Sequence, residues 1–234
     1  MKTVKALASA ALIFLFLAAC GGGAGGDGSG GSASATAFPI WQAWVNSLTK
    51  AETKSFAING TVGGVVVTGS GSATFGSLAS STFEGKSALA QTVVATGTIS
   101  ANGQSMPYGG TSTMYVDSNY QPLGSTSGSD YLVVSGTPTI PQTAKINDTG
   151  TLVTFTRYAS GAKATVDGTQ TVTFALLPDS ASTAILRLVS TDKSISGTVT
   201  ATGFMTYRIT PVGTLTRISE EYQEGSTSLT LTYQ

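Results

Sequence analysis

The stretch TVTATGFMTYRIT, residues 198–210, alternates between apolar and polar side chains and decides the fold class. One side of this extended segment carries Val199, Ala201, Met205, Tyr207 and Ile209, and the other side carries mostly threonine. Successive side chains of a β-strand point to opposite faces of the sheet. The alternation therefore predicts a strand with one buried face and one face in water.

The same period of two recurs from residue 55 onward, in segments rich in β-branched and aromatic residues. Further strands are predicted at 56–62, 65–75, 91–100, 111–116, 131–135, 152–158, 171–176, 185–191, 214–222 and 228–233. Asn102-Gly103 and Asp167-Gly168 are dipeptides typical of two-residue hairpins, and Glu224-Gly225 is a weaker example. Short turns join antiparallel strands, so we predict a mainly β fold, an antiparallel sheet of about nine to eleven strands forming a curved half-barrel, a sandwich or a barrel.

One segment, residues 38–54, has helical rather than strand periodicity. Trp41, Trp44, Val45 and Leu48 recur at steps of three and four, and Pro39 suits a first helical turn. We expect the two tryptophans to dock this amphipathic helix on the β domain. The alternative is a helix that lies on a membrane surface, because tryptophan favours such interfaces.

The amino terminus has the features of a secretory signal. Lys2 and Lys5 precede an apolar run, residues 6–19, which is shorter than the roughly 20 residues of a membrane span. The run ends in Leu17-Ala18-Ala19-Cys20, which resembles the lipobox of bacterial lipoproteins. That resemblance implies a diacylglycerol thioether on Cys20, cleavage before Cys20 and usually acylation of the new amino group, for which palmitate is the expected acyl group. Two or more chains hold a protein stably on a membrane, whereas one does not.

Three segments follow from this reading. Residues 1–19 are the signal peptide, 20–37 are the lipidated cysteine with a Gly/Ser-rich tether, and 38–234 are a single β-rich domain. A flexible tether of this length reaches on the order of 20 to 25 Å. Gly21 follows the cysteine where the best-known inner-membrane retention signal has aspartate, so the resemblance favours the outer membrane of the cell envelope.

The composition excludes several function classes. Cys20 is the only cysteine and the chain has no histidine, so disulfides, Ser-His-Asp and Cys-His catalysis and most zinc sites are not expected. Lys plus Arg and Asp plus Glu number 12 each, and loss of Lys2 and Lys5 with the signal leaves a net charge of −2. Scattered bases offer no stripe that tracks phosphates, so we expect no nucleic-acid partner. No cofactor or metal is expected either.

Few residues suggest catalysis. Ser47–Lys50 and Ser190–Lys193 have the Ser-x-x-Lys spacing of some acyl-transfer enzymes, but this match is expected by chance in a serine-rich chain. The densest acids are Glu220, Glu221 and Glu224 with Asp192, which suit glycoside hydrolysis or calcium binding in principle. We interpret them instead as a solvated sheet edge whose charges discourage strand addition.

Two stretches, 106–131 and 137–141, are rich in Gly, Ser or Pro and are predicted to be long loops, where binding functions tend to lie. The candidate ligand or helix-docking residues are aromatic: Trp41, Trp44, Tyr108, Tyr115 and Tyr120. Together with Tyr131, the tyrosines of this set are candidates for an aromatic surface that binds sugars or peptides.

The mature part has two further resemblances. The helix followed by SFAINGTV (55–62), with the closing segment TYRITPVGTLT (206–216), loosely resembles half-barrel lipoprotein carriers and receptors, which hold acyl chains between a curved sheet and a helix. The segment from AILRLVSTDK (184–193) to Tyr233 resembles uncharacterised proteobacterial lipoproteins. We expect a non-catalytic envelope lipoprotein that binds an apolar ligand, a lipid or an envelope partner. A structural or adhesion module, a hydrolase and a transmembrane barrel are the alternatives.

Overall fold

The computed structural model describes residues 37–128 and 130–234. Cys20 and the predicted signal peptide lie outside the described residues. Helix α1 (Ile40–Thr49) precedes thirteen strands. The strands are β1 (Glu52–Val62), β2 (Val65–Phe75), β3 (Ala79–Phe83), β4 (Lys86–Ala101), β5 (Gln104–Val116), β6 (Pro122–Ser127), β7 (Asp130–Val134), β8 (Thr149–Tyr158), β9 (Val166–Pro178), β10 (Ala184–Ser194), β11 (Val199–Ile209), β12 (Leu215–Glu224) and β13 (Thr227–Tyr233).

Twelve of the strands close into an antiparallel barrel, and β3 is the extra strand. Two pairings join strands that are not consecutive in the sequence: β1 with β13 and β2 with β4. β3 pairs with the first part of β4. The prediction of a mainly antiparallel β fold is confirmed, and α1 is the one helix among the described residues. The predicted count of nine to eleven strands was too low, and the sheet closes into a barrel instead of stopping at a half-barrel or forming a sandwich.

Several predicted boundaries were wrong. The helix ends at Thr49 rather than at Lys54, because Lys50 is already extended, with φ −104° and ψ 120°. The predicted loop 106–131 contains most of β5 and all of β6, while 137–141 contains no strand, as predicted. Because β6 is rich in glycine and serine, its sequence did not predict a strand. Gly124 of β6 lies beneath the aromatic ring of Phe83, which would collide with a Cβ at that position.

The turn predictions had mixed outcomes. Asn102 and Gly103 join β4 to β5 with φ values of 50° and 76°, so this hairpin is confirmed. The prediction for Asp167-Gly168 was wrong, because both residues lie inside β9. There Gly168 has a φ of 152°, and a Cβ on it would lie 1.9 Å from the carbonyl oxygen of Lys193. At this position glycine allows β9 and β10 to approach closely, and it does not form a turn.

The side chains that face the barrel interior are mainly apolar, although Gln91, Gln170, Asp192, Arg217 and Glu220 are buried there too. In β11, Met205, Tyr207 and Ile209 are fully buried, whereas Thr200 and Thr202 lie on the outer face. The apolar side chains of a transmembrane barrel face outward instead. The interior holds two clusters: a larger one around α1 and the inner faces of β8 to β12, and a smaller one on β1, β2, β4, β5 and β13.

The barrel has two different ends. Because antiparallel strands alternate in direction, their connections alternate between the ends. We call one the helix end, since α1 packs there among the connections at 117–121, 135–148 and 210–214. The opposite end, which we call the far end, carries the turns at 63–64, 102–103, 195–198 and 225–226. The described chain therefore enters the barrel at the helix end.

Candidate ligand-binding site

Helix α1 is held at the helix end by contacts along its length. Before the helix, Phe38 and Ala144 exchange backbone hydrogen bonds of 2.8 and 2.9 Å. The indole Nε1–H of Trp44 donates to the backbone carbonyl of Tyr120 at 2.7 Å. Asn46 Nδ2 donates to the carbonyl of Gly213 at 3.2 Å. Three loops that are distant in sequence thus fix one helix over the opening.

The carboxyl end of α1 is capped from inside the barrel by Gln91. The side-chain Nε2 of Gln91 donates to the carbonyls of Ser47 at 3.1 Å, Leu48 at 3.2 Å and Gly76 at 3.0 Å. The last carbonyls of a helix have no partner within the helix, so a buried end needs such donors. Sequence reasoning missed Gln91, although a single glutamine on the inward register of an apolar strand is a usable signal.

An apolar cavity of about 30 Å³ lies beside α1. The helix contributes Ile40 and Trp44 to its wall. The remaining lining comes from strands and one loop: Pro122, Ile140, Leu152, Val153, Val172, Leu186 and Leu188. Sites for small molecules usually measure about 300–1,000 Å³, so the cavity as it stands admits only a small apolar group or the end of an acyl chain. A larger ligand requires displacement of the Trp44 side chain or of α1.

The structure separates the aromatic residues singled out in the sequence. Trp44 and Tyr120 come together at the helix end, where Trp41 also packs against the larger cluster. Tyr108 is buried in the smaller cluster, with its ring edge-on to Phe56 at a centroid distance of 6.1 Å. The candidate set therefore does not form one surface.

Two of the tyrosines share a ring stack outside the barrel. The ring of Phe83 lies between those of Tyr115 and Tyr131, at centroid distances of 4.5 and 5.4 Å. Tyr131 donates its hydroxyl to Glu84 at 2.7 Å, and Lys163 forms an ion pair with the same carboxylate. These two hydrogen bonds are the main reason that the pKa of Glu84 lies below its ordinary value. The stack fastens the β3–β4 hairpin to the barrel wall.

The interpretation of Glu220 as part of a solvated edge was wrong. β12 lies between β11 and β13, and Glu220 faces the interior, where it forms an ion pair with Arg217. Burial raises the pKa of the Glu220 carboxyl, while Arg217 and a 2.9 Å hydrogen bond from the Tyr233 hydroxyl oppose that rise. The Arg217 guanidinium also lies 4.5 Å from the ring centroid of Phe75, across the interior.

A second group of polar residues lines the inside of the far end. We call it the acidic mouth: Asp130, Arg157, Gln170, Asp192, Tyr222 and Glu224. Asp192 is only 1% exposed, and its carboxylate accepts from Gln170 Nε2 at 2.9 Å and from Arg157 at 3.3 Å. Burial raises the pKa of Asp192, and the nearby carboxylates of Asp130 and Glu224 raise it further. Sequence reasoning grouped Asp192 with Glu224. Glu224 is exposed, as predicted, whereas the prediction that Asp192 faces solvent was wrong.

The Ser-x-x-Lys pairs do not assemble in the structure. The hydroxyl of Ser47 donates to the carbonyl of Trp44 at 2.6 Å, whereas Lys50 is exposed. Ser190 faces the interior of β10, and Lys193 is exposed near the end of that strand. Neither lysine is placed to activate its serine.

Within residues 37–128 and 130–234, no three His, Cys, Asp or Glu side chains converge as metal ligands. Over the same ranges, no helix has both the length and the apolar character needed to cross a bilayer. Comparison with protein-family models, curated proteins and solved structures finds no match to this chain.

Proposed function

We propose that the chain is a non-catalytic lipoprotein of the bacterial envelope, anchored to a membrane by lipid on Cys20, and that its barrel binds an apolar ligand beside α1. The observation that carries the ligand part is the apolar cavity at the helix end. All nine residues that line it are apolar, and two of them belong to the helix. A ligand that entered there would displace the Trp44 side chain. The other lining residues would then pack against the methylene groups of the ligand instead of against Trp44.

The anchor part of the proposal rests on the sequence of residues 17–20, and the position of Phe38 bears on its orientation. Phe38 enters at the helix end, so a tether from Cys20 would hold this end toward the bilayer. An acyl ligand leaving that bilayer would reach α1 before the rest of the barrel.

Metabolic labelling with radioactive palmitate tests the anchor. The wild-type protein should incorporate label and sediment with membranes, while Cys20→Ser should do neither. A control variant, Ser29→Ala, changes the tether but keeps the cysteine and should behave as wild type. Unlabelled wild-type protein, or a Cys20→Ser protein that still sediments with membranes, would refute the anchor.

Ligand binding can be tested with the full mature chain carrying Cys20→Ser, titrated with 12-bromododecanoic acid, whose bromine quenches tryptophan fluorescence on contact. Leu188→Phe fills the cavity, and Val189→Phe places the same ring on the outer face of the same strand. We expect saturable quenching that weakens at least tenfold in Leu188→Phe and changes less than twofold in Val189→Phe. Absence of quenching, or equal loss in both variants, would contradict binding at this cavity.

A structural or adhesion module is the second candidate, and the small volume of the cavity favours it. The two apolar clusters occupy much of the interior, and threonine is frequent on the outer face, for example at 169, 171 and 173 of β9. This candidate predicts that native mass spectrometry of the protein from its own envelope finds no bound lipid. It also predicts recovery of an envelope protein or glycan by crosslinking. Under either candidate, panels of esterase and glycosidase substrates should remain unhydrolysed.

A further inference from the structure

We propose that the acidic mouth at the far end of the barrel binds the ammonium group of a small organic amine. This site lies at the opposite end from the apolar cavity and does not depend on the function proposed above. It would give the barrel two ligands of different chemistry, an apolar one at the helix end and a cationic one at the far end.

The first argument is an excess of negative charge on inward-facing positions. Asp130, Asp192 and Glu224 face the interior from β7, β10 and β12, and Asp167 adjoins them at the start of β9. Arg157 is the base that these acids share, bonding Asp192 at 3.3 Å and Asp167 at 3.0 Å. Crowded carboxylates with too few cations gain from an added positive charge.

The second argument is that two buried side chains beside Asp192 have acceptor atoms without partners. Gln170 is fully buried and donates its Nε2 to Asp192, while its Oε1 has no hydrogen-bond partner. Ser190 faces inward two residues before Asp192, is 1% exposed, and its Oγ has no partner. Buried polar atoms are nearly always satisfied, so these atoms point to a bound group that donates hydrogen bonds.

An ammonium group fits this arrangement better than a metal ion does. A metal ion needs ligands that converge at about 2.0–2.6 Å, and no three acidic side chains of the described residues converge in that way. An ammonium group donates three hydrogen bonds at longer distances and accepts mixed partners such as a carboxylate, an amide oxygen and a hydroxyl. The tyrosine hydroxyl of Tyr222 donates to Glu224 at 2.5 Å, which orients that carboxylate at the entrance.

The members of the mouth differ in their exposure to solvent. Glu224 is exposed and Asp130 is half-buried, whereas Asp192 is enclosed. A linear amine can therefore place one ammonium group at Asp192 and a second one near Glu224. This makes a diamine or polyamine a suitable probe.

Isothermal titration of the full-length protein in non-ionic detergent with spermidine tests the proposal. We expect saturable binding at low salt that weakens at least tenfold in Asp192→Asn, which keeps the size of the side chain and removes its charge. Glu221→Gln removes a neighbouring charge from the outer face of β12 and should change binding less than twofold. Near-ultraviolet circular dichroism establishes that each variant is folded.

A second readout places the ligand. In ¹H–¹⁵N spectra, spermidine should shift the side-chain amide signal of Gln170 and the backbone signal of Ser190 more than signals at the helix end. Equal weakening in Asp192→Asn and Glu221→Gln would indicate diffuse attraction to a negative surface and overturn the proposal. Absence of spermidine binding, or tighter binding of calcium at the same signals, would overturn it as well.

Discussion

The indole of Trp44 and the backbone carbonyl of Tyr120 are joined by a 2.7 Å hydrogen bond between residues 76 positions apart. The loop that presents this carbonyl is built around Asp117, whose Oδ1 accepts from the backbone N–H groups of Asn119 and Gln121, both at 2.8 Å. Tyr120 itself has a positive φ of 61°, which is unusual for a residue with a side chain. The loop between β5 and β6 is thus shaped to receive the helix.

Replacing Trp44 should weaken the attachment of α1 more than replacing Trp41. Trp44→Phe removes the indole donor and part of a buried ring, so we expect a loss of about 1–3 kcal/mol in the free energy of unfolding. Trp41→Phe alters a half-buried ring for which no hydrogen bond is described and should cost less. Urea unfolding followed by circular dichroism measures both, and equal losses would contradict the role assigned to the Tyr120 contact.

Gln91→Leu tests the cap at the end of α1. Leucine has a similar size but cannot donate, so the buried carbonyls of Ser47 and Leu48 lose their side-chain donor, at a cost of about 2–4 kcal/mol. Thr92→Ala on the outer face of the same strand is the control and should change stability by about 0.5 kcal/mol or less. Hydrogen exchange of the α1 amides should accelerate in Gln91→Leu only. Unchanged exchange would mean that packing alone holds the helix.

The buried pair Arg217 and Glu220 should show strong coupling in a double-mutant cycle. Arg217→Met leaves a carboxylate enclosed without its cation and should cost about 3–5 kcal/mol. Arg217→Met with Glu220→Leu removes both charges and should recover most of that loss, less about 1 kcal/mol for the Tyr233 hydroxyl that loses its acceptor. Additive losses, measured by urea unfolding, would show that these two side chains of β12 do not interact.

The pH dependence of stability should change in opposite directions in two matched variants. Because burial raises the folded-state pKa of Asp192, its contribution to stability is complete below about pH 4 and is lost as the pH rises through the folded-state pKa. Asp192→Asn should therefore lose less stability than wild type between pH 4 and pH 7.

Asp179 provides the opposite case. Its hydrogen bonds from Arg208 and Thr183 lower its pKa, so its contribution is present above about pH 4 and is lost as the pH falls. Asp179→Asn should lose less stability than wild type on acidification. Stability curves from urea unfolding at several pH values check both signs. Parallel curves for all three proteins would contradict the assignment.

Alternation along the chain was sufficient to predict most strands, because each has one face in a packed interior and one outside. Helical periodicity identified the helix, since the three-residue spacing of Trp41 and Trp44 would place the two rings on opposite faces of a strand. The burial of the acidic residues was harder to predict. A carboxylate on an alternating strand looks solvated, and only the closed geometry places Asp192 and Glu220 inside.

No sequence pattern within a single strand predicts that the barrel closes. Closure depends on β2 pairing with β4, past the intervening β3, and on register matches such as Gly71 with Gly97. A Cβ on Gly71 would collide with the ring of Phe56 on the adjacent strand β1. Glycine is therefore required at position 71 because of an aromatic residue in another strand. Such long-range requirements are read from the structure, not from local patterns.

The pairing of β1 with β13 has a consequence for how the protein is made. Phe56 and Ile58 of β1 lie opposite Tyr233 and Leu231, which are synthesised after all the other strands. During synthesis, which proceeds from the amino terminus, the apolar face of β1 forms before these partner residues are available. The nascent chain is therefore most vulnerable to aggregation just before its last strand arrives, and a holding chaperone would matter most at that moment.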